Sequence, residues 1–121
     1  GYSALAVREL GNFLVNLPTG FYAIAPAAAK NMMDTVDVFI LDVREPNEFA
    51  GERIQGAVNI PIRDVPRRVG ELPKGKPIIV YCKVGHRGSM AMMFLRGQGY
   101  NVQSISGGLD GWKNAGLPVV K

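Results

Sequence analysis

Five short, almost wholly apolar runs recur along the chain with helical stretches between them, and this alternation limits the fold more than any other feature. The runs are Tyr22-Ala23-Ile24, Val38-Phe39-Ile40-Leu41, Ala57-Val58-Asn59-Ile60, Ile78-Ile79-Val80-Tyr81 and Val102-Gln103-Ser104-Ile105. A strand with one wet face alternates polar and apolar residues, whereas a strand covered on both faces reads as a continuous apolar run. The segments between read as helices. Pro26 to Met33 opens on a proline suited to a first turn, a short helix lies near Pro46 to Ala50, another runs from Asp64 to Glu71, and one over Met90 to Arg96 is closed by Gly97 and Gly99. Strands that alternate with helices pair in parallel, so the expected class is α/β, a five-stranded parallel sheet with helices on both faces. With 47% apolar residues among 121, the chain buries one substantial core, and no second domain fits.

Ahead of that pattern, Leu5, Ala6, Leu10, Phe13, Leu14 and Leu17 form an apolar stripe close to helical spacing, which Pro18-Thr19-Gly20 stops. The expected layout is a helical extension over residues 1–20, followed by one domain over 21–121. The plain reading packs the extension on the domain's own surface, and the sharper one makes it a docking or membrane-facing helix. Its charges, Arg8 and Glu9, are too few for a strong basic membrane anchor. No apolar run approaches the roughly 20 residues that span a bilayer. The chain reads as soluble. It starts at Gly1 instead of Met, which leaves open removal of an export signal and therefore the compartment, cytoplasmic or periplasmic.

The chain's one cysteine, Cys82, directly follows the fourth apolar run and opens the stretch Cys82-Lys83-Val84-Gly85-His86-Arg87-Gly88-Ser89 before a helical pattern. A helix N-terminus and nearby cations both favour a thiolate over a thiol. Lys83 and Arg87 supply the cations, while Gly85 and Gly88 let the backbone curl so that its N–H groups face an anion. The expected object is a cationic cradle around a sulfur nucleophile. Ligands of parallel sheets bind beyond the carboxyl ends of the strands, which is where Cys82 falls. Asp42 and Arg44 end or follow their own strand and should stand nearby. The plain alternatives are a buried structural thiol for Cys82, a solvated charge for Arg87 and an ordinary ion pair for Asp42 and Arg44.

The pattern C-x-x-G-x-R followed by small residues and a helix resembles the active-site loop of the rhodanese-like sulfurtransferases. Three further segments agree in order. Leu41-Asp42-Val43-Arg44-Glu45-Pro46 with Glu48-Phe49 resembles the family's LDVREPxEF segment, Gln55-Gly56-Ala57-Val58-Asn59-Ile60-Pro61 resembles its PGAxNIP segment, and Gly107-Gly108 with Trp112 resembles its terminal GG…W signature. The resemblance covers about residues 22 to 120. One departure is visible: where the family usually has GHI, this chain has Glu52-Arg53-Ile54, so no role carries over for that histidine.

The resemblance implies a Cys82 persulfide that moves a sulfane sulfur from thiosulfate, or a similar anionic donor, to cyanide, a small thiol or a protein thiol. It implies that the loop residues Lys83, Val84, Gly85, His86, Arg87 and Gly88 hold the substrate. Arg87 is expected to brace the loop on carboxylates or to touch substrate, Lys83 to contact an anion at the pocket mouth, and Arg44 with Asp42 to orient the surroundings, Arg44 also contacting substrate. His86 beside a thiol would suit a general base, but the family does not depend on a histidine there. Related phosphatases and arsenate reductases carry five residues between Cys and Arg. The interval here, Lys83-Val84-Gly85-His86, is the shorter one and disfavours them. A sulfur-delivery or noncatalytic module that binds a partner is the other alternative, and Met90, Met92 and Met93 suit either core filling or an adaptable partner surface.

No cofactor is implied, and one His with one Cys cannot close a zinc site. The net charge of +4 with 8% aromatic residues favours small anions over nucleic acid, which asks for a denser basic patch interleaved with aromatics.

Overall fold

The computed structural model describes residues 22–121. The expected helix over 1–20 lies outside them. The sheet has the order β1-β5-β4-β2-β3, with β1 Ala23–Ile24, β2 Phe39–Asp42, β3 Val58–Asn59, β4 Ile78–Tyr81 and β5 Val102–Ile105. Every pairing is parallel. The central strand β4 is buried at all four positions, as its continuous apolar run requires. The edge strands β1 and β3 shrink to two residues each, shorter than their apolar runs, because an edge has a ladder partner on one side only.

Helices cover both faces. On one, Ala29 of α1 (Pro26–Thr35) and Leu109 and Trp112 of α5 (Gly108–Asn114) pack against Ile79, Tyr81 and Ile105. On the other, Val65 of α3 (Val65–Arg68) and Ala91, Met92 and Leu95 of α4 (His86–Gly97) pack against Leu41, Ile78, Val80, Cys82 and Val102. Successive side chains of a strand point to opposite faces, so Val80 and Cys82 share the α4 face.

The sequence and the structure differ in three places. The helix expected over 64–71 breaks into a 3-10 turn at Ile62–Asp64, one α-turn in α3 and a second 3-10 turn at Val69–Glu71. Gly70 is a poor helix former, and the chain must turn inward to bury Leu72. Helix α4 starts four residues before Met90, because Gly85 takes φ +117° and launches it straight from the loop. Helix α5 was not expected, since Gly107-Gly108 reads as a turn. Both glycines do have positive φ, and they open the helix.

Candidate active site

Cys82 follows the last residue of β4, and Gly85 is the N-cap of α4, so the intervening residues form a tight strand-to-helix turn. The Gly85 N–H donates to Cys82 Sγ at 2.9 Å. The Cys82 and Lys83 carbonyls turn away to accept from Leu109 N–H at 2.8 Å and Asp110 N–H at 3.0 Å in α5. In a trans peptide the C=O and N–H of one unit point in opposite directions, so the Lys83 and Val84 N–H groups face away from α5. The first turn of α4 adds its own N–H groups, which a helix leaves without internal partners. The Gly85 N–H is the donor placed on the sulfur, and the other N–H groups belong to the same turn and to the start of α4.

Close packing makes this possible at two glycines. A Cβ on Gly108, which has φ +61°, would stand 2.5 Å from the Cys82 carbonyl oxygen and 2.6 Å from the Lys83 carbonyl. A Cβ on Gly88 would meet Cys82 N at 3.4 Å, an ordinary contact distance, so α4 packs closely on the end of β4 there. Cys82 itself is fully buried.

Arg87 reaches Glu48 in α2 (Pro46–Gly51), Nη1 to Oε1 at 2.9 Å and Nη2 to Oε2 at 3.3 Å. Glu48 Oε1 also accepts from the Glu45 N–H at 3.0 Å, one half of a capping box that opens α2. The Arg87 hydrogen bond holds the Glu48 carboxyl below its usual value against the opposing effect of burial, and Glu48 in turn raises Arg87. Sequence reasoning expected Arg87 to brace on a carboxylate without naming Glu48. The capping-box spacing, Glu45 at the N-cap and Glu48 three residues on behind Pro46, is the signal that could have found it.

Asp42 and Arg44 form a buried pair, their side chains 0% and 4% exposed, with Nη2 to Oδ2 at 2.7 Å. Arg44 Nε adds two contacts at 3.0 Å, and Nη2 donates to the Glu52 carbonyl at 2.6 Å. Burial works against the Arg44 charge and Asp42 more than restores it, so its pKa is raised. Arg44 lies in a bend two residues past the end of β2, and its own N–H also donates to Asp42 Oδ1 at 2.8 Å, which brings the two side chains together. The structure brings the pair to the end of β2 but leaves the Arg44 side chain almost wholly buried. The Lys83 ammonium sits 3.6 Å from Asp110 of α5, both side chains exposed. Val84 and His86 are exposed and line a cavity beside the turn. Arg53, where the family's histidine would be, stacks on Phe49 at 4.8 Å, and its backbone pairs with Val120, which ties down the C-terminus.

The structure is thus a parallel α/β sheet that offers a cysteine from a tight turn at the carboxyl end of its central strand. Residues 25–115 match the rhodanese-like domain family, and the chain belongs to it. It is 37% identical over 93 residues to a sulfurtransferase of Allochromatium vinosum, covering 76% of this chain and 87% of that protein. It is 36% identical over 100 residues to the thiosulfate sulfurtransferase GlpE of Actinobacillus succinogenes, covering 82% and 90%. Among solved structures, a rhodanese-related protein of Thermoplasma volcanium aligns with a TM-score of 0.76 at 33% identity over 81% of this chain and 96% of that one. Among the described residues no helix is long and apolar enough to cross a membrane.

Proposed function

We propose that this protein is a sulfurtransferase that carries a sulfane sulfur on Cys82. The observation that carries the reading is the Gly85 N–H aimed at Cys82 Sγ, in a turn whose Cys82 and Lys83 carbonyls are drawn off to α5. Donors set in place before reaction stabilise charge that develops on sulfur, each worth about 3 kcal/mol when well aimed. In the first half-reaction the Cys82 thiolate attacks the outer sulfur of thiosulfate. The S–S bond of the donor breaks, sulfite leaves with the bonding pair, and Cys82 keeps a persulfide anion. In the second, cyanide or a thiol attacks the terminal sulfur and the Cys82 thiolate returns. Lys83, Val84, Gly85, His86, Arg87 and Gly88 frame the sulfur, through backbone N–H groups more than through side chains. Arg87 acts through Glu48 as a positioning residue. Asp42 and Arg44 hold the end of β2 beside β4. No metal or cofactor takes part in these steps.

Cys82 has no exposed surface, so a donor reaches the sulfur only when its surroundings open. The four-residue interval between Cys82 and Arg87 supports sulfur over phosphate or arsenate as the group handled. Steady-state formation of thiocyanate from thiosulfate and cyanide tests the reading. The wild type turns over and Cys82→Ser does not; equal rates for both would overturn it.

A further inference from the structure

A cavity of about 190 Å³ lies against the turn, its walls including Ala23, Gly85, His86, Ser104 and Ser106. It is on the α4 face of the sheet. Val80 pairs with Ser104 in the β4–β5 register, and side chains two apart share a face. Ser104 therefore lies on the same face as Val80, one strand over from the strand that carries the nucleophile, and Ser106, in the turn just after β5, lines the same cavity.

Ser104 is an anomaly there. It is 2% exposed in the middle of a strand that is otherwise apolar on that face. Its backbone N–H donates to the Tyr22 carbonyl at 3.0 Å, but its hydroxyl makes no hydrogen bond with any of the described residues. No fully sealed side-chain oxygen or nitrogen among the described residues lacks a partner, so the Ser104 oxygen must open onto the cavity. A buried hydroxyl left unpaired costs about 1–3 kcal/mol, which an alanine at the same site would avoid.

The wall chemistry states what would pair with it. Three serines, Ser89, Ser104 and Ser106, line the cavity together with the His86 ring and the first turn of the twelve-residue helix α4, and no carboxylate does. The N-terminal end of a helix favours negative charge. We infer that this cavity binds the carboxylate of a small thiol acceptor, with Ser104 and Ser106 donating to it while the thiol faces the Cys82 persulfide. The inference rests on the sulfurtransferase reading for the thiol and on the cavity alone for the carboxylate. In the step it serves, the acceptor sulfur bonds the terminal sulfur of the persulfide, the S–S bond to Cys82 breaks, the Cys82 thiolate leaves, and the acceptor's proton passes to the new persulfide product.

Two measurements test it. In the first, the amide spectrum of the full chain is followed while sulfur-free propionate is added. Saturable shifts are expected at Gly85, Ser104 and Ser106, weakened at least tenfold in apparent affinity by Ser104→Ala and, separately, by Ser106→Ala. The second compares kcat/KM for 3-mercaptopropionate and 2-mercaptoethanol as acceptors. A preference of tenfold or more for the carboxylated thiol is expected, and Ser104→Ala is expected to reduce it to below threefold. Propionate binding with no sulfur transfer to any acceptor would retain the anion site and overturn the sulfurtransferase reading. Transfer to cyanide without saturable shifts, or with no preference between the two thiols, would overturn the cavity assignment and show that it holds only water.

Discussion

The guanidinium of Arg87 lies on the carboxylate of Glu48, with contacts of 2.9 and 3.3 Å, and joins the first turn of the helix behind the cysteine to the first turn of α2. Neither residue touches the sulfur, yet together they set where α4 begins relative to β2. Glu48→Ala removes both this pair and the bond to the Glu45 N–H. The loss in urea-denaturation stability should be about 1–2 kcal/mol, from one cap and one half-buried ion pair. Thiosulfate kcat is expected to fall about tenfold with KM little changed, since the cysteine turn loosens while its components remain. Glu48→Asp should recover part of kcat, which a purely global loss of stability would not allow.

The same pair gives a pH dependence. The Glu48 carboxyl is held below its ordinary value of 4.5 in the folded protein, first by the Arg87 bond. A group with a depressed folded pKa binds fewer protons folded than unfolded near that range. Its contribution is therefore whole above 4.5 and disappears as pH falls through the lower folded value. The stability gap between wild type and Glu48→Gln is expected to be constant from pH 6 to 8 and to close on acidification. A gap that widens below pH 4 would contradict the assignment.

Gly108 and Gly51 make a matched contrast. An alanine at 108 would press its Cβ to 2.5 Å from the Cys82 carbonyl at a φ of +61°, whereas one at 51 meets nothing within 4 Å. Gly108→Ala is expected to cost about 3 kcal/mol or more and to disturb the turn that carries the cysteine. Gly51→Ala should stay within about 0.5 kcal/mol of wild type. Thermal melts of the two variants side by side check this.

The Asp42–Arg44 pair behaves as interior structure. Asp42→Ala leaves a guanidinium almost fully buried without its carboxylate, a loss of about 3–5 kcal/mol. The double variant Asp42→Leu with Arg44→Met removes both charges and should be more stable than Asp42→Ala alone. If the single variant loses activity without losing stability in denaturant, the pair acts on substrate instead.

The sheet and the cysteine turn were legible because both depend on local patterns: continuous apolar runs for doubly covered strands, and a cysteine, glycines and cations packed between a strand and a helix. Tertiary placement was not. Arg44 reads as a cation at a strand end, and only the packing of Tyr81 and the Glu52 carbonyl around it shows that it is spent on internal contacts. That Lys83 stands beside Asp110 shows only once α5 is in place. The adjacent methionines divide as helix geometry dictates, Met92 buried and Met90 65% exposed. Ser104 was visible as a hydroxyl in an apolar run, but its significance needs the cavity beside it.

The central claim is a sulfur atom carried on Cys82, and intact-mass spectrometry after incubation with thiosulfate tests it most directly. The wild type should gain the mass of one sulfur atom, lose it on addition of cyanide, and differ in both respects from Cys82→Ala, which should gain nothing. No gain in the wild type, or an equal gain in the variant, would contradict the account.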